Sequence, residues 1–125
     1  MKRRQGTSRQ QRGADAYKTG LWAERLALIL LTLKFYRILG TRVKTPAGEV
    51  DILARRGRTL IIVEVKARRT RSGAAEALRP QQQARLARAA ELFLARTPEV
   101  ETIRFDVVEV AAGAFPRHLK DAWRP

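Results

Sequence analysis

Gly48-Glu49-Val50-Asp51-Ile52-Leu53-Ala54 and Leu60-Ile61-Ile62-Val63-Glu64-Val65-Lys66-Ala67 are the two stretches that decide the fold. Both are apolar and β-branched, which suits extended chain packed against neighbours. Between them Arg55-Arg56-Gly57-Arg58 supplies a turn, with Gly57 free to take positive φ. A hairpin of strands Glu49–Ala54 and Thr59–Ala67 is expected. Leu60 to Val63 is apolar at every position, the mark of a central strand covered on both faces. Side chains alternate along a strand, so Glu49 should share a face with Asp51, and Glu64 with Lys66. With the strands adjacent, the acidic faces line up. Charges held in such runs cost stability unless something uses them. A divalent metal ion and a phosphodiester would use them.

Upstream, Tyr36–Lys44 reads as a first strand, closed by the turn Thr45-Pro46-Ala47-Gly48. Before it, Leu21, Trp22, Leu26, Ile29, Leu30 and Leu33 recur at helical spacing. This predicts a helix from about Ala14 or Thr19 to Lys34, with Asp15 or Thr19 as its cap. Its run Leu26–Leu33 is expected to be buried. The run is too short to cross a bilayer, Glu24-Arg25 and Lys34 bracket it, and no small-x-small cleavage pattern follows. Met1 to Gly13 is rich in Arg, Gln and Gly and reads as a disordered basic arm, leaving 14–125 as a single domain.

Downstream, Arg68 to Gly73 is a basic loop. Pro80 opens a second helix reaching Arg96, with Leu86, Ala90, Phe93 and Leu94 as its inner stripe. Thr102–Val110 is a fourth strand, with Ile103, Phe105 and Val107 on one face and Arg104, Asp106 and Val108 on the other. The remainder, through His118 and Trp123, is a short loop or edge segment. The order is α-β-β-β-α-β, an α/β chain without internal repeats.

At 125 residues the chain has room for one domain with a modest core. A formal net charge of +14 attracts polyanions, most commonly nucleic acid; a membrane surface or the ribosome would satisfy the same field. The absence of cysteine excludes disulfides, thiolate metal sites and a cysteine nucleophile, and suits the cytosol.

Phosphodiester hydrolysis needs a deprotonated water, a partner for developing negative charge and an approach to an anionic backbone. Magnesium supplies the first two when a few carboxylates hold it and leave positions open for water and substrate. Asp51 and Glu64, from neighbouring strands, are the candidate ligands. Glu49 would take a water-mediated place or a second ion. Lys66 would orient the water or stabilise the phosphorane charge. Glu24 on the first helix reaches the same pocket if that helix packs over the sheet. The following Arg68-Arg69-Thr70-Arg71 offers contacts to a phosphate backbone. Each pattern alone is ordinary: Glu-x-Lys on a strand is commonly a solvent-facing ion pair. Their combination on a central strand favours a site. Gln81-Gln82-Gln83 reads as a polar first turn, with Gln83 as a candidate contact to nucleic acid. Asp106 is either a supporting carboxylate or a partner for an arginine. His118 is read as a surface residue without a catalytic role.

Four motifs in order carry a resemblance: Gly20-Leu21-Trp22-Ala23-Glu24, Gly48-Glu49-Val50-Asp51-Ile52-Leu53-Ala54, Val63-Glu64-Val65-Lys66-Ala67-Arg68 and Arg104-Phe105-Asp106-Val107-Val108. Together they resemble the YraN-like family of uncharacterised proteins, over about Thr19 to Trp123. Members of that family are similar to Holliday-junction resolvases and other PD-(D/E)XK nucleases of the restriction-endonuclease-like fold. The resemblance implies Asp51, Glu64 and Lys66 as a nuclease triad, Glu24 and Glu49 as supporting acids, and Asp106 as a structural or supporting group. It also implies a mixed central sheet flanked by helices. Two positions depart from the family pattern. Phe35 stands where the family usually has a glycine after the first helix, so that end needs another cap. Gln82 stands where the family tends to carry lysine, which loses a phosphate contact or moves it to Arg85 or Arg79.

The expectation is a magnesium-dependent endonuclease, with manganese able to substitute. Its substrate is structured or branched nucleic acid, DNA before RNA, and the protein is cytoplasmic, a possible homodimer and not membrane-bound. The rival expectation is a non-catalytic nucleic-acid-binding module acting on DNA, RNA or the ribosome, its acids holding a structural ion or arginines.

Overall fold

The hairpin forms and lies in the middle of a five-stranded sheet. The computed structural model describes residues 9–68 and 79–125, with side chains from residue 20 onward. Strands β1 (Arg37–Thr45), β2 (Gly48–Arg56) and β3 (Thr59–Arg68) form an antiparallel meander. Strand β4 (Thr102–Ala111) joins β3 in parallel, and β5 (Arg117–Trp123) closes the far edge antiparallel to β4. The order β1-β2-β3-β4-β5 puts β3 at the centre, as its apolar run requires. The segment through His118 and Trp123 is thus a paired edge strand. Helix α1 (Arg9–Leu33) covers one face and α2 (Pro80–Arg96) the other. This mixed α/β sheet between helices is consistent with the restriction-endonuclease-like fold.

Alternation along β3 divides the core. Leu60 and Ile62 pack with Leu86, Ala89, Ala90 and Phe93 of α2. Ile61 and Val63 pack with Ala23, Ala27 and Leu31 of α1. Helix α2 therefore uses Ala89 where Leu94 was expected; Leu94 falls one residue past the 86-89/90-93 stripe and remains exposed.

Helix α1 differs more. It starts at Arg9, so it takes in residues 9–13 of the expected basic arm, whose residues 1–8 lie outside the described residues. Its buried face is not the leucine stripe. Ala23, Ala27 and Leu31 face the sheet, while Trp22, Ile29 and Leu33 point outward, Leu33 being 71% exposed. Alanines allow the backbone to sit close to β3, and the large residues are displaced to the opposite side. The run Leu26–Leu33 is thus packed on one face only. No helix among the described residues is long and apolar enough to cross a membrane.

The end of α1 keeps a left-handed cap despite lacking glycine. Phe35 takes φ 67, its N–H donates to the Thr32 carbonyl (3.0 Å), and the Tyr36 N–H donates back to Leu31 (2.9 Å). A left-handed backbone is unfavourable for a residue with a Cβ, and the Phe35 ring is 87% exposed, gaining little from burial. Phe35→Gly is therefore expected to stabilise the protein by roughly 0.5–1 kcal/mol, read by urea denaturation. A loss of stability would mean that the exposed ring contributes more than the backbone costs.

Candidate active site at the seam between β2 and β3

The β2–β3 ladder runs from Arg56↔Thr59 to Ile52↔Val63 and ends there. Beyond that point two carboxylates take the place of backbone acceptors. Asp51 Oδ2 accepts the Val65 N–H at 2.9 Å, and Glu64 Oε2 lies 3.4 Å from the Asp51 N–H. The strands part, and the acids fill the opening.

A matching irregularity lies on the other side of β2. Strand β1 pairs Thr41 with Ile52 and Val43 with Val50, with a bulge between Ile38 and Gly40. Between those pairs Arg42 adopts φ 49, the left-handed region. The alternation of β2 shifts at this place: Val50 packs in the α2 core, yet Ile52, two residues on, packs in the α1 core. The expectation of one shared acidic face is corrected accordingly. Asp51 and Glu49 line a cavity of about 440 Å³ on the α1 side, together with Glu24, Arg42 and Val65. Glu64 is held from the α2 side, where Gln82 Nε2 donates to its Oε1 at 3.0 Å and Arg85 stands 4.0 Å away. The two groups meet only at the seam.

Burial and like charge act on this pair together. Burial pushes the Asp51 carboxyl above its ordinary range, and Glu24 and Glu49 add to the rise, against the Val65 N–H and Lys66. Burial, then Asp51, push Glu64 up to about 7, against the Asp51 N–H, Arg85 and Lys66. Lys66 is thus close enough to favour the charged form of both acids. Like Glu64, and unlike Asp51, it is not among the residues lining the cavity, and it stands in register with Glu109 of β4.

Helix α1 does pack over the sheet and brings Glu24 to the cavity, where it forms a 3.0 Å ion pair with Arg42. Arg85 is a brace. Its guanidinium donates to the Glu49 carbonyl (2.8 Å) and packs on Gly48, where a Cβ would meet it at 2.8 Å. Arg68 pairs with the buried Glu109 at 3.1 Å, and Arg117 of β5 meets the same carboxylate at 2.8 Å. Arg79 is exposed immediately before α2, and Gln83 lies half-buried in its first turn. Arg69 and Arg71 lie outside the described residues. Reading the sequence missed Arg42, which lines the cavity from a left-handed position that strand periodicity does not announce, and Glu109, whose Val107–Ala111 setting repeats the acid-in-apolar pattern of Glu64.

Asp106 is the arginine partner. It accepts two bonds from Arg104 (2.8 and 2.7 Å), one from the Asp121 N–H (2.9 Å), and meets His118 Nε2 at 2.7 Å. His118 is corrected from a surface residue to a buried one, its side chain 3% exposed, because β5 lays it against Asp106 and Tyr36. A larger cavity of about 660 Å³ opens near Thr59 and Thr102, at the beginnings of β3 and β4 and away from the seam. Its acids are Glu91 and Asp121, the latter paired with Arg124. The seam, with its unbalanced charge, is the better candidate despite the smaller cavity.

Residues 23–110 match the model of the uncharacterised protein family UPF0102. A UPF0102 protein of Parvibaculum lavamentivorans is 56% identical over 115 residues, covering 90% of this chain and 86% of that protein. Another, from Caulobacter vibrioides, is 47% identical over 117 residues, covering 92% and 94%. A third, from Methylorubrum extorquens, is 49% identical over 106 residues, covering 83% of each. The motifs from Glu24 to Asp106 all fall inside the matched span, and the chain belongs to the uncharacterised protein family UPF0102.

Proposed function

We propose that the protein is a divalent-metal-dependent endonuclease acting on nucleic acid, with structured or branched DNA as the favoured substrate. One observation carries the reading: two buried carboxylates from different strands meet where their ladder opens, and burial with neighbouring acids, Glu24 and Glu49 for Asp51 and Asp51 for Glu64, raises the affinity of both for a positive charge. A proton or a bound cation would relieve that pair.

The donor set suits magnesium. Both ligands are hard oxygens, and among the described residues Asp51 Oδ1 accepts no hydrogen bond. No third His, Cys, Asp or Glu completes a cluster among the described residues. Two carboxylates are what an ion that retains several waters and takes up substrate phosphate requires. Bound there, magnesium would acidify a water and offset charge on the phosphate.

The remaining work falls to side chains. Gln82 and Arg85 fix the Glu64 carboxylate from α2, and the Val65 N–H fixes Asp51. Lys66 supplies positive charge next to both acids, where negative charge grows in the transition state. Arg42 offers a guanidinium at the cavity, held by Glu24 until a phosphate competes for it. The field of a chain with net charge +14 draws the substrate in.

The direct test is incubation with branched, flap and linear DNA, with and without magnesium or manganese. Cleavage that depends on metal supports the reading, and no cleavage of any substrate overturns it. Arg42 has its own test. In Arg42→Gly the relief of a left-handed backbone offsets the loss of a half-exposed ion pair, so stability stays within about 1 kcal/mol of wild type. Affinity for DNA should fall and the salt dependence of binding should weaken by about one counterion, measured by fluorescence anisotropy across a salt series. An unchanged slope would remove Arg42 from the interface.

A further inference from the structure

Under the C-terminal end of α1, away from the seam, three side chains stand in a row. Lys34 Nζ lies 2.6 Å from His118 Nδ1, and His118 Nε2 lies 2.7 Å from Asp106 Oδ2. Each comes from a different element: the end of α1, strand β5 and strand β4. Lys34 is ten residues beyond Glu24 on α1, roughly 15 Å along the helix from the seam cavity.

The order fixes the direction of the protons. Asp106 is fully buried and remains ionised, because two bonds from Arg104 and one from the Asp121 N–H satisfy it. An ionised carboxylate at Nε2 requires that nitrogen to carry the imidazole proton. Nδ1 then presents its lone pair to Lys34. The imidazole cannot turn away: its side chain is 3% exposed and its ring packs edge-on against Tyr36 at 5.5 Å. Tyr36 is itself held by a 2.6 Å bond from Arg104. A nucleophile, a base and a group that orients the base are thus assembled, with an amine as the nucleophile.

The lysine is also primed by its surroundings. Burial of part of its stem, and then the neighbouring Lys120, hold its ammonium below the ordinary lysine range; Tyr36 and Asp106 oppose them, and Arg104 adds to the fall. The left-handed turn at Phe35 fixes the backbone directly after it. Lys34 nevertheless remains partly exposed, so a small reagent in solution can reach the amine.

We propose that Lys34 is a site of Nε-acylation by activated carboxylic acids, acyl phosphates or acyl thioesters, with His118 as the base that prepares the amine and Asp106 as the residue that orients His118. His118 takes the first proton of the ammonium. The amine lone pair then forms a C–N bond to the acyl carbon, and the bond from that carbon to the phosphate oxygen or thiol sulfur breaks, its electron pair leaving with that group. The second proton departs from nitrogen to the leaving group or to water, and His118 returns its proton to solvent. Nothing is oxidised or reduced. The product has an uncharged amide at the end of α1, and the cation that joined α1 to β5 is gone.

The test uses the full chain with limiting acetyl phosphate in one arm and an acetyl thioester of a small thiol in the other. Acetylation at each lysine is followed over time by mass spectrometry. Lys34 should react at least about tenfold faster than the exposed Lys44 with one or both donors. The preferred donor names the physiological class. In His118→Gln, shown to be folded by circular dichroism, the Lys34 rate should drop to that of Lys44 while Lys44 is unchanged. Equal rates at Lys34 and Lys44 in the wild-type protein with both donors overturn the proposal, and that comparison decides alone if the variant does not fold. A fast Lys34 that is indifferent to His118→Gln overturns the assigned base.

Discussion

Asp51→Asn/Glu64→Gln is expected to lose metal-dependent cleavage by roughly 10³-fold or more while melting at a higher temperature than wild type at pH 8. The two effects share one cause. In the folded protein burial and then Asp51 raise Glu64 from 4.5 to about 7. A carboxyl whose folded value is raised contributes stability that is fully present below about pH 4.5. That contribution disappears as pH climbs through about 7. Above that range the wild-type fold carries a pair of charges worth roughly 3 kcal/mol of destabilisation from Glu64 alone. The amides keep an oxygen for the Val65 and Gln82 donors and drop the charge. A gain of roughly 1–3 kcal/mol at pH 8 should therefore shrink to nothing by about pH 5. Magnesium should raise the melting temperature of wild type and leave the variant unmoved. A variant that melts with wild type at pH 8, or gains as much from magnesium, would show that the seam has no charge to be met.

Asp106→Asn works in the opposite sense. Burial by itself would raise this carboxyl, but the bonds from His118, Arg104 and the Asp121 N–H outweigh it and bring it down to about 2. A lowered carboxyl stabilises the fold above its unfolded value of 3.8, and the contribution is lost as pH falls through about 2. The substitution leaves Arg104 facing a neutral group and His118 without its anion. Breaking one partner of a buried, hydrogen-bonded pair costs roughly 3–5 kcal/mol, a fall of roughly 10–20 °C in melting temperature for a domain of this size. The loss should be full at pH 7 and should narrow toward pH 2. Equal melting of Asp106→Asn and wild type at pH 7 would reduce the cluster to an incidental contact.

Strands β1 to β4 and their order along the chain were legible because β3 declares itself, whereas the stretch that forms β5 reads only as a loop or edge segment. An apolar run covered on both faces belongs in the middle of a sheet, and the turn chemistry around Gly57 pairs it with β2. Glu64, Asp51 and Lys66 stood out for the same reason, as charges in runs that ought not to hold them. Other features were hidden because they depend on departures from regularity. Period-two alternation gave Glu49, Asp51, Glu64 and Lys66 one face, whereas the alternation of β2 breaks between Val50 and Ile52, opposite the left-handed Arg42, and the acids meet from opposite sides. Helical periodicity could not say which side of α1 is inside, since both sides are apolar, and the small residues won the sheet. His118 looked like surface because its neighbours Arg117 and Lys120 are charged. Nothing local shows that Arg117 turns to Glu109, or that His118 finds Asp106 twelve residues away.

The parting of the β2–β3 ladder has a consequence for how the domain assembles. The two hydrogen bonds that place the carboxylates span only 13 and 14 residues of chain, closed by a tight turn. Short loops close at small entropic cost and early in folding. The acids can therefore find one another in the nascent meander, before the crossover to β4 completes the sheet. A segment emerging from the ribosome would carry this acidic corner ahead of α2 and β4, which complete its burial, when its charges are still cheap to bring together. Burial by α2 and β4 then arrives last, and with it the rise in proton affinity that distinguishes the finished corner from an ordinary hairpin.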